Sequence, residues 1–495
     1  MVDEALYQRI ATHIRTDIQQ GRLTEAMKLP SVRRIASLHN VSHLTALNAL
    51  RLLENEGVVE AKPRSGFFVK VRHPLSNNLF PSLAKQKSTI NSPVPSLDTR
   101  SRHLSLIGRN QITSLGLADG HLELYPVKRF SQIMRQLIYK NPSLLGSHLG
   151  GHGLPALIQQ IVRRAMDYGC SLVEDEILVT NGGLESLSLA LKASTSPGDK
   201  VLIQSPTYFL LLQLLKDLGL EVIEIASSNM TLNTLQLEET IDRHKIKVMV
   251  YTANFNNPDG CLLSDSDKQA LVNLMVEKQV TIIEDDVYGD IYFGNTRPRP
   301  LRAFNDQVIL CSSFTKTLSP GLRIGWLACA GWQDAVYNLK RTSSKVTAEF
   351  PQAAIAEFIK NGGYDVHMRK LRALLKGYCQ VMREEILKAF PVGTQVSQPQ
   401  GGYVLWVTLK EGSPSTRVLF EKAYAERISI VPGYLFSLVD IDSAKIGTVI
   451  ERSNDLSFRI NYGYGLTPDN KEAIHTLASW VKEGSIPQNG CEAIY

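Results

Sequence analysis

Ser312-Ser313-Phe314-Thr315-Lys316-Thr317-Leu318-Ser319-Pro320-Gly321-Leu322-Arg323-Ile324-Gly325 follows the apolar run Val308-Ile309-Leu310-Cys311, and upstream Glu284-Asp285-Asp286-Val287-Tyr288 follows Val280-Thr281-Ile282-Ile283. Each reads as a buried β-strand running into a polar, reactive loop. The pattern recurs where Glu176-Ile177-Leu178-Val179-Thr180 precedes Asn181-Gly182-Gly183-Leu184-Glu185 and where Lys200-Val201-Leu202-Ile203 precedes Ser205-Pro206-Thr207-Tyr208. It recurs again where Val248-Met249-Val250-Tyr251 precedes Asn256-Asn257-Pro258-Asp259-Gly260. Such strands alternating with helical patterns predict an α/β body around a mostly parallel sheet, whose ligands bind beyond the strand C-termini.

Each loop supplies part of the description of a ligand. Glycine-flanked N–H groups at Gly183 and Leu184, opening a helix, suit a phosphate. Tyr208 is placed to lie on a flat ring, Asp285 suits a basic ring nitrogen, and Lys316 offers an amine for Schiff-base chemistry. Pyridoxal 5′-phosphate (PLP) meets all four requirements, because a carboxylate opposite its ring nitrogen keeps the pyridinium protonated.

The order and spacing of Asn257, Asp285, Tyr288, Lys316 and Arg323 resemble the fold type I aminotransferases, and among them the kynurenine/2-aminoadipate aminotransferase group, over about residues 112 to 485. That resemblance implies a mostly parallel large domain followed by a small α+β C-terminal domain. It also implies roles: Lys316 as the internal-aldimine lysine, Asp285 as the partner of N1, Asn257 and Tyr288 on the ring hydroxyl, and Tyr208 as the stacking aromatic. Gly183, Leu184, Ser313, Thr315 and Arg323 would form the phosphate cup, Leu184 through its backbone alone. Gln400-Gly401-Gly402-Tyr403-Val404-Leu405-Trp406 and Ser457-Phe458-Arg459-Ile460-Asn461-Tyr462 resemble the small domain, with Arg459 clamping a substrate α-carboxylate. Aligning Gly153-Leu154-Pro155-Ala156-Leu157 places His148 where many relatives carry a tyrosine that reaches the partner subunit's cofactor site.

The chain is 495 residues long, so a two- to four-domain protein is expected, and its net charge is +6. The charge is unevenly spread: residues 1 to 72 hold 11 Lys/Arg against 7 Asp/Glu, 73 to 112 hold 5 against 1, and the rest 38 against 40. The six cysteines include no CxxC pair, which predicts reduced thiols, a cytoplasmic location and no metal site. The most apolar stretch, Tyr208 to Leu215, is too short to span a bilayer.

The basic front reads as helix, short helix, turn, helix, hairpin. Leu6, Ile10, Ile14 and Ile18 recur every four residues, and Ser31 and Ser42 are placed as N-caps. The third helix repeats Leu44, Leu47, Leu50 and Leu53 at every third residue, with Leu44, Leu47 and Leu50 read as core. Gly57-Val58-Val59-Glu60-Ala61 with Gly66-Phe67-Phe68-Val69 then reads as a wing. Over about residues 4 to 72 this resembles the winged helix-turn-helix of the GntR regulators, which implies contacts to double-stranded DNA from Arg33, Ser42, His43, Thr45, Arg64 and Gly66. Many relatives have Arg where His43 stands, and a mostly neutral imidazole supplies less charge.

The expected organisation is a winged helix-turn-helix domain at 1–72, a flexible basic linker at 73–111, where Pro74, Pro81, Pro93 and Pro95 interrupt any periodicity, and an aminotransferase-like PLP-binding domain at 112–495. That order resembles the MocR subfamily of GntR regulators. The resemblance implies a homodimeric transcriptional regulator that senses PLP, or an amino-acid-like effector joined to it as an external aldimine. The alternative is a catalytically active aminotransferase that carries a DNA-binding head.

Overall fold

The computed structural model describes residues 6–19, 22–24, 27–55, 58–62, 66–69, 113, 115–146, 151–226, 234–329, 331–438 and 454–484. The expected linker, Arg64 and His148 lie outside the described residues. The chain divides into two compact units, Met1–Val94 and Pro95–Tyr495.

In the first unit, α1 (Leu6–Gln19), α2 (Val32–Leu38) and α3 (His43–Asn55) precede a hairpin of β1 (Val59–Lys62) and β2 (Gly66–Val69), paired antiparallel from Val59↔Val69 to Lys62↔Gly66. Both serines act as N-caps. Ser31 Oγ accepts the Arg34 N–H at 3.3 Å and Ser42 Oγ the Thr45 N–H at 3.1 Å, each satisfying a donor that a helix start leaves unpaired. The buried face of α3 differs from the sequence reading. Its core stripe is Ala46, Ala49, Leu50 and Leu53, whereas Leu47 is only half-buried and Leu44 is 65% exposed. A repeat of three loses about 60° per step against a 3.6-residue turn, so by Leu44 the series has rotated away from the face that holds Leu50 and Leu53.

The second unit is built on a seven-stranded sheet of β3 (Ile177–Thr180), β4 (Lys200–Ser205), β5 (Glu221–Ala226), β6 (Val248–Tyr251), β7 (Thr281–Asp285), β8 (Ile309–Ser313) and β9 (Gly325–Ala328). Their order is β3-β9-β8-β7-β6-β4-β5, and every pairing is parallel except the two made by β9. Alternate residues of β4 face opposite layers. Val201 and Ile203 pack with Leu187 and Leu191 of α6 (Gly183–Ser194), while Leu202 packs with Leu237 of α8 (Thr234–His244) and Leu271 of α9 (Asp265–Glu277). Cover on both faces explains the continuous apolar runs that mark these strands in the sequence.

Helices α4 (Val127–Lys140) and α5 (Pro155–Asp167) precede the sheet, α7 (Phe209–Asp217) follows β4, and α10 (Gln333–Ser343) and α11 (Glu349–Lys360) follow β9. The 27-residue α12 (Gly363–Ala389) then leads to an antiparallel sheet of order β10-β11-β13-β12: β10 (Gln395–Val396), β11 (Val404–Thr408), β12 (Val431–Pro432) and β13 (Ser457–Asn461). Helices α13 (Thr416–Ala425) and α14 (Pro468–Glu483) accompany it. Because β3, β4, β6, β7 and β8 all run the same way, the loops after them collect at one edge of the large sheet. No described helix is long and apolar enough to cross a membrane.

Candidate functional site

The loops after β3 and β8 build an anion cradle. A Cβ added to Gly182, whose φ is +99°, would stand 2.8 Å from the Arg323 guanidinium, and one added to Gly325 would stand 2.5 Å from Gly182 backbone. Glycine at both positions lets the start of α6, the arginine and β9 meet at close quarters. Arg323 Nη2 donates to the Asn181 carbonyl at 3.1 Å, the Thr315 N–H donates to Ser313 Oγ at 3.1 Å, and Ser313 Oγ lies 3.0 Å from the Ile324 carbonyl. Gly183, Ser313, Thr315 and Arg323 are thus brought together at the N-terminus of a 12-residue helix, whose first N–H groups lack intrahelical acceptors. Leu184 is exposed beside them, so only its backbone can take part.

Lys316 follows this cradle, its carbonyl accepting a hydrogen bond from Tyr403 Oη at 2.8 Å. Burial holds its amine below the ordinary lysine range, against a raising influence from Asp119 and a further lowering one from Arg459 and Arg323. A depressed amine is a nucleophile near neutral pH. Asp285, at the end of β7, accepts the Val287 N–H at 3.2 Å. Recessed in the site yet still reached by solvent, its carboxyl is pushed up to about 7, chiefly by desolvation and then by Asp286. It makes no ion pair among the described residues. Tyr208 caps the start of α7, its hydroxyl raised to about 12 by burial, and Tyr288 is buried, with its hydroxyl 3.4 Å from the Ala118 carbonyl.

β13 carries Arg459 to the same edge, where it is 2% exposed. Its Nη1 donates to Asn257 Oδ1 at 2.8 Å and its Nη2 to the Gly116 and Leu117 carbonyls at 2.6 and 3.4 Å, while the buried Nε has no partner. Desolvation lowers it to about 10. An arginine this deep that makes no ion pair among the described residues is poised for an anionic ligand. Asn257, having turned its oxygen to Arg459, keeps its amide nitrogen for a second partner.

Residues the sequence reading did not single out complete the site. The segment 115–120 lies across it, tied down by Arg459, Tyr288 and Asn461, and brings in Asp119. No motif marks this segment, and its contacts to Tyr288, Arg459 and Asn461 are made across 170, 343 and 342 positions.

In the first unit, Arg33 is exposed on α2 and His43 is exposed at the start of α3. Ser42 and Thr45 share a hydroxyl–hydroxyl bond of 2.8 Å, so their side chains already serve the cap. Gly66, φ +99°, opens β2 at the exposed end of the hairpin.

A phosphate cradle, an amine of lowered pKa and an unpaired carboxylate at the strand ends of this sheet define a fold type I aminotransferase-like body. Residues 125–477 match the aminotransferase class I and II family, and residues 6–69 match the bacterial regulatory proteins of the gntR family. The HTH-type transcriptional regulator YjiR of Escherichia coli is 31% identical over 437 residues, 87% of this chain and 92% of that one. NorG of Staphylococcus aureus, also named an HTH-type transcriptional regulator, is 24% identical over 92% of this chain and all of its own. Among solved structures, the multiple substrate aminotransferase of Thermococcus profundus superposes with a TM-score of 0.70 at 25% identity, over 79% of this chain and 95% of its own. The chain belongs to the aminotransferase class I and II family and, with its GntR-type head, to the MocR subfamily in which the two are fused.

The cofactor of that family is PLP, and the residues present fit it. Asp285, which makes no ion pair among the described residues, suits a protonated ring nitrogen, the helix start at Gly183 beside Arg323 suits a phosphate, and the lowered amine of Lys316 suits reaction with a carbonyl.

Proposed function

We propose that the chain is a transcriptional regulator whose head, residues 1–72, binds double-stranded DNA and whose body, residues 112–495, senses PLP and an amino-acid-like effector, the two being joined by the basic linker 73–111. The observation that carries the reading is the pairing of Arg459, buried without an ion pair among the described residues, with the lowered amine of Lys316, in a chain that also has a helix-turn-helix head. The names of YjiR and NorG, both matched over more than nine-tenths of their length, support it.

When bound, PLP supplies an aldehyde carbon that condenses with amines and a pyridinium ring that draws electrons from them. Ser313, Thr315, Arg323 and the N–H groups of Gly183 and Leu184 would hold its phosphate. Asp285 would pair with its ring nitrogen, Asn257 and Tyr288 would hold its hydroxyl, and Tyr208 would stack on its ring. Lys316 would supply the resident amine and give way to the effector's own, while Arg459 exchanges the Gly116 and Leu117 carbonyls for the effector's carboxylate. That exchange would loosen or shift the segment through which the body continues from the linker. An effector acts only through such a difference between the two states.

On the DNA side, Arg33, Ser42, His43, Thr45, Arg64 and Gly66 are the proposed contacts. A cytoplasmic homodimer would read two half-sites. Fluorescence anisotropy with the protein's own promoter fragment tests this: salt-sensitive, sequence-selective binding that responds to PLP and amino acids is expected, and its absence refutes the reading. Lys316, Asp285, Tyr288 and Arg459 are also the groups that turnover would use. Repeated conversion of an added keto acid would favour an enzyme, whereas a cofactor spectrum that changes once and stops favours a sensor.

A further inference from the structure

Asp119 stands inside this site and the proposed cofactor chemistry leaves it unused. The chain around it is fixed from several directions. The Leu115 carbonyl accepts the Asn461 N–H at 2.8 Å, the Gly116 carbonyl accepts Arg459 at 2.6 Å, the Asp119 carbonyl accepts Asn461 Nδ2 at 2.9 Å, and the Gly120 N–H donates to Tyr125 Oη at 3.0 Å. Main chain held on both sides keeps the half-buried side chain at the site. Asp119 Oδ1 is buried and has no hydrogen-bond partner, and the carboxylate makes no ion pair among the described residues.

The cations that feel its charge are Lys316, on which Asp119 is the strongest electrostatic influence, and Arg459. When the site fills, Arg459 is taken by the effector's carboxylate, and Lys316, on giving way to the effector's amine, leaves the cofactor's carbon as a neutral amine that burial disfavours charging. A recessed carboxylate would then have no countercharge unless the effector brings one, and an unpaired charge in such a place is costly.

We infer that Asp119 makes the site selective for amino acids that carry a second cationic group, an amine or guanidinium on the side chain. The inference rests on the proposal that Lys316 and Arg459 receive an amino acid's amine and carboxylate. It assigns Asp119 to the effector's far end and not to proton transfer at Lys316.

The test is a titration of the PLP-loaded full chain with L-lysine, L-ornithine, L-glutamate and L-norleucine, the uncharged counterpart of lysine, followed by the cofactor's absorbance. Lysine or ornithine should half-saturate at roughly tenfold lower concentration than norleucine, as one charge-assisted hydrogen bond gives. Asp119→Asn should reduce that preference, taken as the ratio of the lysine and norleucine midpoints in the same variant, to about threefold or less, and Asp119→Lys should turn the preference toward glutamate. Equal midpoints for lysine, ornithine and norleucine in the unaltered chain overturn the inference alone, with no variant needed. So does a preference that survives in Asp119→Asn, or a variant that slows norleucine and lysine alike, which would mark a proton-transfer role. If none of the four amino acids moves the absorbance, the amine-receiving reading of the site fails and takes the inference with it.

Discussion

Asp285→Asn should stabilise the cofactor-free protein at alkaline pH and leave it almost unchanged in acid. The carboxyl is pushed up from 3.8 to about 7, first by desolvation and then by Asp286. At about 1.36 kcal/mol per unit, keeping Asp285 ionised in the folded state costs at most about 4 kcal/mol. Because solvent still reaches the group, about 2 to 4 kcal/mol is the expected range. An acid whose folded pKa is raised binds its proton more tightly when folded, so the cost is absent below about pH 4, grows between pH 4 and 7, and is complete above pH 7. Asparagine is nearly isosteric, keeps an oxygen for the Val287 N–H and never ionises. Denaturant titration of the body's unfolding transition at pH 4.5 and pH 8, for both chains stripped of PLP, should show a gap that opens in favour of the variant as pH rises. Saturating PLP should close or reverse it, since the ring nitrogen supplies the cation that only the carboxylate can use. A gap independent of pH, or a variant less stable than the native chain at pH 8 without cofactor, would refute the account of Asp285 as a carboxylate awaiting a cation.

Arg459→Leu should abolish discrimination between an amino acid and the amine that lacks its carboxylate; two charge-assisted hydrogen bonds at about 1.5 kcal/mol each correspond to roughly a hundredfold, read from the cofactor's absorbance. Arg33→Gln should weaken binding to specific and random DNA alike and lower the slope of log affinity against log salt by about 0.9, measured by anisotropy across a salt series. Leu50→Ala should cost the head about 2 to 5 kcal/mol, but Leu44→Ala less than about 0.5, since Leu50 is fully buried and Leu44 is 65% exposed; denaturation of the head's transition in the full chain checks both.

Much of the body was legible because its chemistry is local in sequence. Asp285 and Tyr288 share one loop, Ser313, Thr315, Lys316 and Arg323 share another, and each loop follows a strand whose two covered faces leave a continuous apolar signature. β5 was missed for the opposite reason: it lies at the sheet's edge with one neighbour, and Glu221 and Glu224 interrupt its apolar run. β9 was missed because half of its four residues, Gly325 and Ala328, are poor strand formers and it has none of the β-branched residues that mark the equally short β3 and β6. On α3, leucine was read as core where alanine does the burying. Small residues pack helices closely but hardly register as apolar, so a sequence reading drawn to large side chains picks the wrong face.

Asp119 illustrates a different limit. Nothing in Leu117-Ala118-Asp119-Gly120 is periodic, and the residue gains meaning only because Asn461, 342 positions later, holds its carbonyl while Arg459 holds the turn before it. Motifs report the parts of a site that the cofactor demands, because the cofactor is constant and its loops are contiguous. The parts proposed to choose among effectors are assembled from distant stretches that share no spacing, so they leave no motif. Under the proposed function, the same contacts would give the segment 115–120 a part in regulation. It is the stretch through which the body continues from the linker, and it is held by the very arginine that an effector's carboxylate would claim.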